Sequence, residues 1–96
     1  MKKIKAGIMG AAGYTGGELI RILLNHPNVE INFAHSKSHG GEPVYNVHTD
    51  LLGDTDLKFS SSIANEIDVL FLCVGHGDAK KILEENNIDK KIKIID

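Results

Sequence analysis

An α/β fold built on a doubly wound parallel sheet is predicted by three observations. Short apolar runs alternate with segments of helical period, a glycine-rich turn joins the first run to the first helix, and a second apolar run follows at the distance a βαβ unit requires. Ile4-Lys5-Ala6-Gly7-Ile8-Met9 is the first run; it ends at Gly10 and reads as a buried strand. After the turn, Leu19, Ile20, Leu23 and Leu24 recur at spacings of three and four and make one apolar helical face, with Glu18, Arg21 and Asn25 free to face solvent. Pro27 ends that helix. Val29 to Ala34 alternates apolar with polar or small residues, as a second strand with one better-covered face does.

From Ser36 to Asp56 no period is sustained, and Gly40, Gly41, Pro43 and Gly53 mark a long loop holding at most one short element. Loops of this length in compact domains usually serve function. Leu57-Lys58-Phe59 is a candidate short third strand, and Asp68 to Val74 a fourth, buried on both faces. Asp78 to Asn86 puts Ala79, Ile82 and Leu83 on one face of a second helix, whose start Asp78 caps or charges. Ile92 to Ile95 opens a fifth strand, and the sequence closes at Asp96. The expectation is therefore a Rossmann-like sheet, truncated in its fifth strand, with right-handed crossovers and helices on both faces.

Composition narrows the function classes. A chain of 96 residues has room for one domain, only marginally stable alone; 42% hydrophobic and 25% charged residues are globular averages that exclude disorder. A formal charge of -2 gives no reason to expect nucleic acid or a membrane surface as partner. No apolar stretch reaches the roughly 18 residues of a membrane span. Cys73 is the sole cysteine, which rules out an intrachain disulfide and fits the reducing cytoplasm.

The turn Gly10-Ala11-Ala12-Gly13-Tyr14-Thr15-Gly16 carries the chemistry. A helix N-terminus offers unsatisfied N–H groups and a positive dipole end to an anion such as the pyrophosphate of a dinucleotide. Gly10 suits the sharp exit from the strand, Gly13 a backbone approach unhindered by a Cβ, and Gly16 close packing of helix on strand. Ala12, Tyr14 and Thr15 join them as cofactor contacts: the latter two supply helix-start N–H donors, the Thr15 hydroxyl caps the helix or meets phosphate, and the Tyr14 ring covers the cofactor. The spacing is Gly-x-x-Gly-x-x-Gly, and its context of strand before and helix after is what the motif requires. The bland alternative is a tight turn and nothing more.

NAD binders usually end the second strand in a carboxylate that takes the ribose hydroxyls. Here that place holds His35-Ser36-Lys37-Ser38. Lys37 with the hydroxyls of Ser36 and Ser38 suits an extra 2′-phosphate, which favours NADP, the alternative for Lys37 being a solvated loop lysine. A third contact zone is Gly75-His76-Gly77, just past the fourth strand, where the glycines permit close approach; His76 either bonds the cofactor or serves as a helix-start or packing residue. His35, His39 and His48 lack the spacing of a metal site, and Cys73, among large apolar residues, reads as inert rather than nucleophilic; no catalytic and no metal residue is assigned.

The run Gly10-Ala-Ala-Gly-Tyr-Thr-Gly-Gly-Glu-Leu19 with His26-Pro27 and Val29-Glu30 resembles the N-acetyl-gamma-glutamyl-phosphate reductase family. Ser36-Lys37-Ser38 with Gly40-Gly41 is similar to that family's Ser-Arg-Ser segment, and Asp68 to Leu72 with His76-Gly77 to its fourth strand and following turn. The chain departs at Lys37, where arginine is common, and at Gly75, where proline is common. The resemblance implies a homo-oligomeric enzyme that uses NADPH to reduce the acyl phosphate N-acetyl-glutamyl 5-phosphate to the semialdehyde in arginine biosynthesis. It also implies that the catalytic cysteine and histidine lie in a second domain, so that residues 1–96 form an incomplete NAD(P)-binding domain, inactive by itself. The alternatives are a reductase like aspartate-semialdehyde dehydrogenase, which shares the glycine spacing, and a non-catalytic NADP-sensing module related to short-chain dehydrogenases.

Overall fold

The computed structural model describes residues 2–64, 66–86 and 88–96, the side chain of His76 excepted. Four strands, β1 (Ile4–Met9), β2 (Val29–His35), β3 (Val69–Leu72) and β4 (Lys93–Ile95), form one parallel sheet in the order β2-β1-β3-β4. Helix α1 (Tyr14–Leu24) joins β1 to β2, and α2 (His76–Glu85) joins β3 to β4. No helix among the described residues is long and apolar enough to cross a membrane.

Strand alternation explains why the helices take opposite faces. Ala6 and Ile8 of β1 point to one side, where Ile20 and Leu23 of α1 close a core with Ala34. Met9 points to the other, where Leu70 and Leu72 meet Ala79 and Ile82 of α2. The α1 stripe anticipated from its spacing is the buried one, with Leu19 and Leu24 half-buried at its edges. The helix stops at Leu24, short of Pro27, where the Asn25 side chain turns back to donate to the Arg21 carbonyl at 3.0 Å. Val69 and Phe71 pack against the first core and Leu70 and Leu72 belong to the second, so β3 is covered on both faces as its unbroken apolar run requires.

The structure departs from the sequence pattern in four places. In β2 the pairing steps from Ala6 opposite Ile31 to Gly7 opposite Phe33, leaving Asn32 as an extra residue. This bulge reverses the alternation. Val29 and Ile31 face the α1 side, whereas Phe33 turns to the α2 side and lies over Gly7, where an added Cβ would stand 2.4 Å from the ring.

Second, Leu57-Lys58-Phe59 is no strand. Its backbone is divided between two neighbours: Leu57 and Phe59 bond to Val44, Glu42 and Gly41, and Ser60 bonds to Ala34 and Ser36 at the end of β2. Only isolated bridges result, Pro43 with Lys58 and His35 with Ser60, so the strand anticipated as fifth is the fourth. Third, Cys73 lies one residue beyond β3, half-buried, though its N–H still bonds to Met9. Fourth, the long loop holds two 3-10 turns, Val44–Asn46 and Thr49–Leu51, that sink Val44 and Leu51 into the α1-side core. The loop is ordered by burial, a property its lack of period conceals.

Candidate functional site

Because β1 lies between β2 and β3, with Met9 opposite both His35 and Leu72, the carboxyl ends of all three strands meet at one edge. Chain order reverses there, between β1 and β3, which is where open α/β sheets take ligands. The glycine turn, Ser36 to Ser38 and Gly75 to Gly77 all start from this edge.

Each glycine of the turn has its own cause. Gly10 adopts φ +74°, and a Cβ there would stand 2.5 Å from the Cys73 carbonyl oxygen. At Gly16 a Cβ would stand 2.6 Å from the Gly10 oxygen and 2.7 Å from the Ala11 Cα, so helix packs on turn backbone to backbone. Gly13 differs: its Cβ would meet only the Gly10 oxygen, at an ordinary 3.5 Å. Nothing inside the protein demands glycine at 13.

Gly13 is the residue before α1, with φ −77° and ψ 172°, and no side chain caps the helix. Thr15 is therefore already inside the helix, past the capping position, with its side chain exposed. Among the described residues no backbone carbonyl takes the N–H of Ala12, Tyr14, Thr15 or Gly16. Tyr14 is 85% exposed, its ring unpacked at the mouth of the turn.

Ser36 and Lys37 have separate environments. Ser36 is buried; its hydroxyl accepts the His39 N–H at 3.1 Å and its N–H bonds to Ser60, so it folds the loop. Lys37 and Ser38 are exposed, and Lys37 lines a cleft of about 460 Å³ together with Gly10, His35 and Lys81. Met9, Ile63, Val74 and Ile82 supply the cleft's apolar wall, and Asp78 and Glu85 of α2 supply two carboxylates. Burial lowers the pKa of His35 from its ordinary value, against the raising effect of a hydrogen bond to the Ser61 backbone. Burial also pushes the Cys73 thiol up, which leaves it less thiolate than a free cysteine.

Gly75 precedes α2 and Gly77 lies in its first turn, where Asp78 favours the positive end of the helix dipole without capping it. A Cβ at Gly75 or Gly77 would meet nothing within 4 Å. His76 is the first residue of α2; the reading of its side chain lies outside what the structure describes. Gly75 has φ −66°, the value proline enforces, and its N–H serves no backbone bond among the described residues. Gly75→Pro is expected to stabilise the chain by about 0.4–1 kcal/mol through the unfolded state. Thermal melting would then shift up by about 2–6 °C, and a downward shift would refute the argument.

Sequence reasoning missed His48 and Gly17. The His48 Nε2–H donates to the Ala11 carbonyl at 2.7 Å, and its ring occupies the space a Cβ on Gly17 would need, 2.4 Å away. The second glycine of the Gly16-Gly17 pair was the available signal, since a helix rarely spends glycine where nothing approaches. Among the described residues no three His, Cys, Asp or Glu side chains converge as metal ligands.

Residues 5–96 match the sequence family described as "Semialdehyde dehydrogenase, NAD binding domain". Two similar curated proteins are both named N-acetyl-gamma-glutamyl-phosphate reductase. The one from Christiangramia forsetii is 56% identical over 93 residues, 97% of this chain and 29% of its own length. The one from Bacteroides thetaiotaomicron is 54% identical over 94 residues, with the same shares. The chain thus spans about three-tenths of the length of these relatives. A similar solved structure is aspartate semialdehyde dehydrogenase with NADP from Candida albicans, at TM-score 0.65 and 25% identity over 86% of this chain and 26% of that one.

Proposed function

Since this chain belongs to the family of semialdehyde dehydrogenase NAD-binding domains, we propose that residues 1–96 are the nucleotide-holding part of an NADP-dependent N-acetyl-gamma-glutamyl-phosphate reductase. Such an enzyme reduces N-acetyl-glutamyl 5-phosphate to the semialdehyde in arginine biosynthesis, in the cytoplasm and as a homo-oligomer. The relatives of that name, at 54–56% identity, favour this substrate over the aspartate semialdehyde of the more distant structural neighbour.

The residues present fit a dinucleotide on two counts. The N–H groups at the start of α1 have no backbone partner among the described residues, and Gly13 is exposed, with only one ordinary contact, at 3.5 Å, for an added Cβ. Those donors and the helix dipole would hold the pyrophosphate, Lys37 the 2′-phosphate, and the wall of Met9, Ile63, Val74 and Ile82 the adenine. The bound cofactor supplies a hydride. This chain binds and orients it, and the thiol chemistry is assigned to a second domain outside residues 1–96, because Cys73 is half-buried with a raised pKa.

The observation that carries NADP is Lys37 in the same cleft as Gly10, at a strand end that reads His35-Ser36-Lys37-Ser38 with no carboxylate. Titration should show NADPH binding well ahead of NADH. Lys37→Ala should weaken NADPH about tenfold, the worth of a charge-assisted hydrogen bond, and leave NADH unchanged. Equal affinities for the two nucleotides in the unaltered chain would sink the assignment.

A further inference from the structure

His48 lies in the loop between Ser36 and Asp56, more than thirty residues from the glycine turn it touches. Its own backbone is locked: the N–H bonds to Val44 at 2.9 Å and the carbonyl accepts from Leu51 at 3.0 Å, and Val44 and Leu51 are both buried. Phe59 meets the ring edge-on at 6.0 Å, and Gly17 leaves room beneath it. A side chain held on this many sides presents its Nε2–H at a fixed place.

That place is the Ala11 carbonyl, at 2.7 Å, while the Ala11 N–H is tied to the His35 carbonyl at 3.0 Å. The described chain contains no cis peptide. In a planar trans peptide the C=O of one residue and the N–H of the next point in opposite directions. Fixing the Ala11 oxygen against His48 therefore aims the Ala12 N–H away from it, and that N–H takes no backbone carbonyl among the described residues.

We infer that His48 is a positioning residue for the cofactor, holding the Ala11–Ala12 peptide so that the Ala12 N–H faces the pyrophosphate. The inference rests on the reading of the glycine turn as a pyrophosphate cradle. It also links two contact zones mechanically, since the loop that begins at Lys37 returns through His48 to grip the turn.

Glutamine and methionine separate this role from simple packing. Both are unbranched and place their terminal group the same number of bonds from Cα as His48 Nε2, but only glutamine offers an N–H there. His48→Gln should bind NADPH within about threefold of the unaltered chain, and His48→Met about tenfold more weakly, the worth of one hydrogen bond. In nitrogen-edited NMR spectra the Ala12 amide should be among those most shifted by NADPH, and His48→Met should displace that amide in the free protein. A folded His48→Met with unaltered affinity overturns the inference, as does a folded His48→Gln that binds as weakly as His48→Met. Should His48→Met not fold, the unaltered chain decides, because an Ala12 amide that NADPH leaves in place also overturns it. Absence of NADPH binding to the unaltered chain refutes the nucleotide reading and this inference with it; normal binding without a His48 effect refutes the inference alone.

Discussion

Gly16→Ala is expected to destabilise the chain by about 2–3 kcal/mol, lowering its melting midpoint by roughly 10–20 °C. The new Cβ would stand 2.6 Å from the Gly10 oxygen, 2.7 Å from the Ala11 Cα and 2.8 Å from the Ala11 oxygen. All three are backbone atoms, so no rotamer change relieves the overlap; the helix must lift from the turn. Lifting it pulls Ile20 and Leu23 from contact with Ala6, Ile8 and Ala34. Gly10→Ala should cost at least as much, because the overlap with the Cys73 carbonyl at 2.5 Å adds to a φ of +74° that itself costs about 1–2 kcal/mol with a side chain. A domain this small has only about 5 kcal/mol in total, so either substitution brings it near unfolding. Denaturant titration followed by circular dichroism measures the loss, and an unchanged midpoint in either variant would contradict this packing.

Gly13→Ala should give the opposite pair of results: a folded chain that has lost its nucleotide. The residue sits at φ −77° and ψ 172°, which any amino acid adopts, and its Cβ would make one ordinary contact at 3.5 Å. Stability should fall by no more than about 1 kcal/mol, the difference between glycine and alanine before a helix. In the proposed placement of the pyrophosphate, however, the methyl group stands between the phosphate and the first N–H groups of α1. Losing two charge-assisted hydrogen bonds at about 1.5 kcal/mol each weakens NADPH on the order of a hundredfold. Isothermal titration beside a melting curve separates the effects. If Gly13→Ala binds NADPH as the unaltered chain does, the cradle is not where the cofactor's phosphates lie.

These contrasts show how far the motif could be read from spacing alone. Their order after a strand and before a helix implies a separate physical task for each of Gly10, Gly13 and Gly16, and Gly10 and Gly16 show those tasks as close contacts. Chemistry alone makes Lys37 a candidate for the 2′-phosphate, and in the structure it shares a cleft with Gly10. Ser36 is the counterexample, since the hydroxyl paired with Lys37 in the sequence is turned inward to the His39 N–H. Which way a loop hydroxyl points depends on the neighbours that bury it, here the Ser60 backbone, and those neighbours are distant in the chain.

The parallel α/β order, the buried face of α1 and the glycine turn are legible in the sequence, because each depends on periodicity or on backbone freedom within a few residues; of the face read for α2, Ala79 and Ile82 turn inward but Leu83 is exposed. The remaining features depend on residues that are distant in the chain and meet in the fold. The bulge at Asn32 carries Phe33 over Gly7, and Gly7, on another strand, leaves room for the ring. The 57–60 segment is not a strand because Gly41, Val44 and β2 compete for its backbone. In the sequence His48 is only a histidine without metal-site spacing; the fold sets it against Ala11, and an unpatterned loop gives no local sign of the distant carbonyl it will meet.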